Sequence, residues 1–294
     1  MTSAVGDFTP EGVHLVGSIG LGSVEEIFRT VGRRLGRRLK RVPDGEIGGR
    51  RLWISWQYPL LRASPFLVPD PGGATHRVSR FPLLCLADGV KPQDIEFGEL
   101  GYAREARVSY QDFCAARERG DLPRQAKFQV CLPTPMAVTY AFCIERDVIA
   151  IYDAYERDMI REVAAICAAI PHHDLCIQWD VCHEMLIWDG QPFDMFPKAG
   201  TSHDEIIARM RRICAAVPPD VELGIHLCYA DFRASRCWQD GRVRQRARRR
   251  NRSSADIHSH ARAGGPKRRS IFRAIAESEV GTRNGTVPRR RARG

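Results

Sequence analysis

Apolar positions along residues 1–232 follow two periods that alternate along the chain. Val13-His-Leu-Val-Gly-Ser18 is a short apolar run ending in small residues and predicts a strand. Val24, Ile27, Phe28, Val31 and Leu35 then fall on one face at helical spacing. Ser23 stands at the N-cap of that helix, and Glu25 and Glu26 lie in its first turn, where carboxylates complement the helix dipole. Arg41-Val-Pro-Asp-Gly-Glu46 predicts a strand end running into a loop, and residues 50–62 a helix. The stretch 63–125 is rich in Pro, Gly and charge and reads as insertions and short helices. Beyond it the pattern sharpens. Lys127–Leu132, Leu175–Asp180 and Val221–Cys228 predict strands, and residues 146–170 and 203–216 predict helices with apolar stripes. Strands alternating with helices imply an α/β fold with parallel strands, whose chemistry gathers at the strand C-terminal ends.

Charge divides the chain near Phe232. Residues 233–294 hold 18 Arg and one Lys against four acids, a net +15 within a chain of net +10. Residues 1–232 are therefore net −5, so the basic balance belongs to the tail. The tail also lacks either period. Its Arg-rich run, Arg242 to Arg252, suits phosphate neutralisation, but Trp238 and Phe272 are its only aromatics, so stacking surfaces are scarce. Three readings follow: a nucleic-acid-binding tail, a disordered basic tail, or out-of-frame translation from about residue 233. No apolar run approaches a membrane span, and the N-terminus lacks a signal-peptide pattern. Ten cysteines without such a signal argue for free thiols and a cytoplasmic setting.

Four constellations carry candidate chemistry. His226-Leu-Cys228 places an imidazole and a thiol on one side of a strand, either as two zinc ligands or as a core histidine and a buried cysteine. Gln178-Trp-Asp180, followed by His183-Glu184, sets carboxylates at the end of a buried strand. Asp180 there is either a base or substrate ligand, or a capping carboxylate. Pro43-Asp44-Gly-Glu46 puts two carboxylates in one loop, although Pro-Asp-Gly is strong turn chemistry anywhere. Gly17-Ser-Ile-Gly20-Leu-Gly22 is either an anion-holding strand-to-helix loop or a close-packed turn, and it lacks the dinucleotide Gly-x-Gly-x-x-Gly order.

Taken together, Val13–Ile19, Arg41–Glu46, Trp53-Ile-Ser-Trp-Gln57, Ile177–Asp180 and Gly224-Ile-His-Leu-Cys-Tyr229 resemble the uroporphyrinogen decarboxylase/cobalamin-independent methionine synthase-like superfamily, nearest its smaller members. The resemblance covers residues 12–232. It implies a TIM (β/α)8 barrel and zinc-assisted methyl transfer to a thiol or amino-acid substrate from a methylated folate or other donor. By resemblance His226 and Cys228 are the zinc pair, Asp180 holds the substrate amine, and Gly17, Ser18 and Ile19 touch the amino-acid substrate. Asp44 and Glu46 match the Pro-Asp-Gly-Glu of the smaller members, and Glu184 follows the aspartate later than the Glu-Pro of the synthases. The superfamily's decarboxylase and lyase types imply instead that Asp44 and Glu46 are the working acids, without metal. The remaining synthase zinc ligands would fall in or beyond residues 233–294, where nothing matches them. The expectation is a partial barrel over 1–232, left incomplete and inactive by an out-of-frame tail over 233–294.

Overall fold

The computed structural model describes residues 12–77, 79–188 and 197–228. It is a mixed α/β structure built on four parallel strands: β1 (Arg41–Pro43), β4 (Lys127–Pro133), β5 (Leu175–Val181) and β6 (Glu222–Leu227), in that spatial order. Two short antiparallel strands, β2 (Leu67–Pro69) and β3 (Leu84–Leu86), form a separate ribbon. The parallel strands follow one another in chain order, so the described sheet contains no point where its winding reverses. The helices are α1 (Val24–Leu35), α2 (Tyr58–Ala63), α3 (Tyr102–Glu118), α4 (Pro135–Phe142), α5 (Val148–Ala169), α6 (His183–Trp188) and α7 (His203–Ala215). None of the described helices is long and apolar enough to cross a membrane.

Side-chain alternation gives the sheet two unlike faces. Val42, Phe128, Val130, Leu132, Leu175, Ile177, Trp179 and Val181 are buried in the apolar core. Phe28 of α1 meets Phe113 of α3 and Phe128 of β4 edge to face, with centroids 5.9 and 6.5 Å away, which ties both helices to the sheet. The alternate positions are polar: Arg41; Lys127, Gln129 and Cys131; Gln178 and Asp180; Glu222 and His226.

The polar face is concave. Arg41 on β1 forms an ion pair with Glu222 on β6, although β4 and β5 lie between them. In a flat sheet those strands would stand about 14 Å apart, beyond the reach of the two side chains. Lys127 Nζ joins Glu222 Oε2 at 3.3 Å. At the other end His14 Nε2 lies 2.8 Å from Gln178 Oε1 on β5, although Val13 bridges in parallel to Leu39, next to β1. The N-terminal segment therefore runs across the hollow of the sheet.

Three expectations need correction. Val13–Ser18 makes a single bridge instead of a strand, because its carbonyls turn to Gln129 and Gln178. Residues 50–62 form two short 3-10 turns (Gly48–Leu52 and Ser55–Gln57) and then α2, because Trp53 takes a left-handed φ of 53° that no α-helix continues. The stretch 63–125 contains the 17-residue α3, whose buried side is made largely of small residues: Ala103, Ala106, Ser109 and Ala116. Ser23 caps α1 as expected, accepting from the Glu26 amide. The Arg-rich tail and the segment Tyr229–Phe232, with the readings given for them, lie outside the described residues.

Candidate functional site

At the C-terminal edge of the parallel strands the sheet register aligns three strand ends. Pro133, Asp180 and His226 are register partners on β4, β5 and β6. Their side chains share the concave face, and Asp180 Oδ1 lies 3.2 Å from His226 Nδ1. The same oxygen accepts from Gln178 Nε2 at 2.7 Å. Gln178 is buried and fully used: Nε2 also donates to Val16 O at 2.8 Å, while Oε1 faces His14 Nε2 and Gln129 Nε2. A string of amides thus fixes one oxygen of Asp180 against the imidazole. Asp180 raises the pKa of His226 through this contact, against the opposing effect of burial.

The loop after β1 supplies the second half of the site. Gly45 adopts φ 80° and Glu46 φ 52°, so the Pro-Asp-Gly turn chemistry is present and leaves a carboxylate on strained backbone. Asp44 Oδ1 accepts from the Glu46 amide at 3.0 Å, while Asp44 Oδ2 takes Arg50 Nη2 at 2.6 Å and Ser109 Oγ at 2.7 Å. Asp44 is therefore a tied anchor. Glu46 is buried, and its side chain accepts from Ser18 Oγ. Burial pushes its carboxyl up to about 7; the Ser18 hydrogen bond opposes this, and the negative Asp180 and Asp44 add to it.

The glycine-rich loop serves the same centre. Ile19 N donates to Gly45 O at 3.0 Å, so the two loops are joined backbone to backbone. Gly17 adopts φ 147°, and a Cβ there would lie 3.6 Å from the Glu46 carboxylate. Gly17, Ser18 and Ile19 thus border Glu46, as close-packed backbone carrying one hydroxyl.

Glu184 is placed differently. It lies at the start of α6, is buried, and has its carboxyl raised to about 7 by burial, with a Thr134 hydrogen bond opposing. Its charged neighbour is Arg209, whereas the neighbours that act on Glu46, beyond burial itself, are Ser18, Asp180, Asp44 and Arg50. The structure thus gathers Ser18, Asp44, Glu46, Asp180 and His226 and sets Glu184 to one side. The preceding His183 stacks on Trp53 at 6.3 Å and is held near a pKa of about 3 by burial.

Cys228 follows β6 and is half-buried, with Cys182 beside it at the end of β5. The Cys182 thiol is driven well up by its hydrogen bond with Cys228 and by burial. Among the described residues no group of three or more His, Cys, Asp or Glu side chains converges to hold a metal. His226 and Cys228 supply two ligand atoms where a zinc site needs three or four, so these two alone do not make one.

Four residues of the network were not singled out for function: Gln129, His14, Arg50 and Ser109. Gln129 carried a signal, since it is polar in an otherwise apolar strand, as Gln178 is. Arg50 and Ser109 carried none; the fold alone brings them to Asp44. No protein-family profile matches the chain, no curated protein is significantly similar to it, and no solved structure is significantly similar to its fold.

Proposed function

We propose that this chain carries the site of a proton-transferring lyase or decarboxylase related to the uroporphyrinogen decarboxylase/methionine synthase-like superfamily, with Glu46 as the group that moves the proton. The observation that carries this reading is Glu46 itself. It is buried, stands on strained backbone, and titrates at about 7, where a carboxyl can both give and take a proton near neutral pH. The concave polar face and the chain-order strands support a TIM-barrel wall as its scaffold.

In a decarboxylation the C–C bond to the leaving carboxylate breaks, carbon dioxide departs, and the electron pair stays on the substrate carbon. Glu46 in its acid form delivers a proton to that carbon and is reprotonated from solvent. Asp180 holds His226 toward its cationic form, which places positive charge where an anionic substrate needs it. Asp44 fixes the Glu46 backbone through the amide hydrogen bond.

A second reading, zinc-assisted methyl transfer to a thiol, is favoured by the Asp180–His226 contact. A carboxylate on one ring nitrogen is the usual support of a metal-bound histidine and leaves Nε2 for the metal. His226 and Cys228 would then hold two of the zinc positions, and zinc would supply a bound, reactive thiolate. The localisation expected for either reading is cytoplasmic, and the partners are small molecules. Nucleic acid enters only through the Arg-rich tail.

The full chain, tested on a panel of small carboxylic acids for carbon dioxide release and on small thiols for methylation, separates the readings. Carbon dioxide release lost in Glu46→Gln and kept in Cys228→Ser supports the first. Thiol methylation with bound zinc, both lost in Cys228→Ser, establishes the second. Activity of either kind that is indifferent to Glu46→Gln removes Glu46 from the chemistry.

A further inference from the structure

Cys182 and Cys228 form a pair that the proton-transfer reading does not use. Val181 and Leu227 are register partners on β5 and β6, and the ladder continues one residue further, with Cys228 N donating to Val181 O at 3.0 Å. The two cysteines therefore stand next in register. Neighbouring strands lie about 4.8 Å apart. That spacing falls within the Cα separation of about 4.4–6.8 Å that a disulfide spans.

Alternation adds the direction. Cys182 is two residues after Asp180 and Cys228 two after His226, so both thiols continue the row of the concave face. They share a hydrogen bond. The pair is also unequal: Cys182 is 0 % exposed, while Cys228 is half-buried. None of the nine cysteines among the described residues is in a disulfide. A partly exposed thiol backed by a buried one is the arrangement in which a reagent meets the first and the second displaces it.

We propose that Cys182 and Cys228 are a redox pair that forms a reversible disulfide at the edge of the site by exchange with a small-molecule disulfide. The Cys228 sulfur attacks one sulfur of the reagent, whose S–S bond breaks, and the first thiol leaves with the Cys228 proton. The Cys182 sulfur then attacks the Cys228 sulfur of the mixed disulfide, and the second thiol leaves with the Cys182 proton. Two protein thiols are oxidised and one disulfide is reduced to two thiols. The cross-link joins the chain just after β5 and β6, two residues beyond Asp180 and His226.

The test uses the full chain, with glutathione disulfide as the probe, followed by alkylation and peptide mapping by mass spectrometry. The expected result is the loss of two of the ten alkylatable thiols, with Cys182 and Cys228 joined and both restored by dithiothreitol. Cys182→Ser, and Cys182→Ala where serine disturbs the core, should stop at a glutathione adduct on Cys228. Cys228→Ser should leave Cys182 unmodified. Alkylation of both cysteines after oxidation overturns the proposal, as does a cross-link from Cys228 to another cysteine such as Cys214. Neither result depends on the role of Glu46, because no catalytic activity is read.

Discussion

Asp180 and His226 are register partners on adjacent parallel strands, and the Oδ1 of one lies 3.2 Å from the Nδ1 of the other. Their contact requires only that the two strands pair in this register, and Gln178 then holds the carboxylate oxygen in place. The raised pKa of His226 follows from this contact, and so does a sign. A histidine whose folded pKa exceeds its ordinary 6.5 adds stability that is fully present below about pH 6.5 and is lost as pH rises through the folded value. Asp180→Asn should lower the His226 pKa in an NMR titration of the imidazole protons and abolish that part of the pH dependence. An unchanged pKa would show that the contact is not held in solution.

Glu46 sets the pH behaviour of the proposed chemistry. One limb of the pH–rate profile should have its midpoint near 7, and Glu46→Gln should lower the rate by roughly 10²–10⁴-fold, the usual worth of a general acid. A profile flat between pH 6 and 8, roughly a unit on either side of that midpoint, would exclude Glu46 as the titrating group.

The same group makes a stability prediction in the same direction as His226, over a lower pH range. The carboxyl ionises near 4.5 in the unfolded chain and near 7 in the folded one, so the folded state binds more protons between those values. Stability should fall as pH rises from about 4.5 to 7, by about 3 kcal/mol for one such group. Glu184 acts in the same direction, since burial raises it to a similar value. Denaturant midpoints across this range should fall less steeply in Glu184→Gln than in the parent chain.

Asp44 is expected to matter through Arg50. The pair is 2.6 Å apart with side-chain exposures of 15 % and 8 %, so Asp44→Asn leaves a mostly buried guanidinium without its closest carboxylate, with Glu105 and Glu46 as its remaining acidic neighbours. A loss of roughly 3 kcal/mol is expected from urea unfolding. A Glu46 shifted from its place would appear in the same variant as a displaced pH midpoint.

Gly45 joins the loop to the core. A Cβ there would stand 2.3 Å from Ile27 Cδ1 and 3.1 Å from Ile19 Cβ, on backbone of φ 80° that L side chains rarely adopt. Gly45→Ala should cost about 1–3 kcal/mol and move Glu46 with it. Phe28→Ala, outside the hydrogen-bond network of the site, should cost about 3–5 kcal/mol by emptying the junction of α1, α3 and β4. Its pH midpoint should stay unchanged, which separates loss of packing from loss of the site.

Much of the scaffold was legible in the chain because its elements bury long apolar stripes. The predicted strands 127–132 and 175–180 and the helix 203–216 differ from the observed elements by one residue at one end, strand 221–228 by one at each end, and the apolar stripe Val24–Leu35 coincides with the first helix. α3 was not legible. Its buried positions include Ala103, Ala106, Ser109 and Ala116 amid many charges, so only neighbours that approach closely reveal which side is inside. The bridge at Val13 was misread because an apolar run can be buried by lying across a sheet as well as by joining it.

The sequence by itself determined the α/β alternation, the capped first helix, and the position of Asp180 and His226 at strand ends, because each depends on residues within one turn or one strand of each other. Only the tertiary structure decided that Arg41 reaches Glu222 across two strands, that Ser109 and Arg50 tie down Asp44, and that Ser18 meets Glu46. Those contacts join residues that the curvature of the sheet and the crossing of the N-terminal segment bring together. Burial of Glu46 follows from the same closure, and burial is what moves its carboxyl to neutral pH.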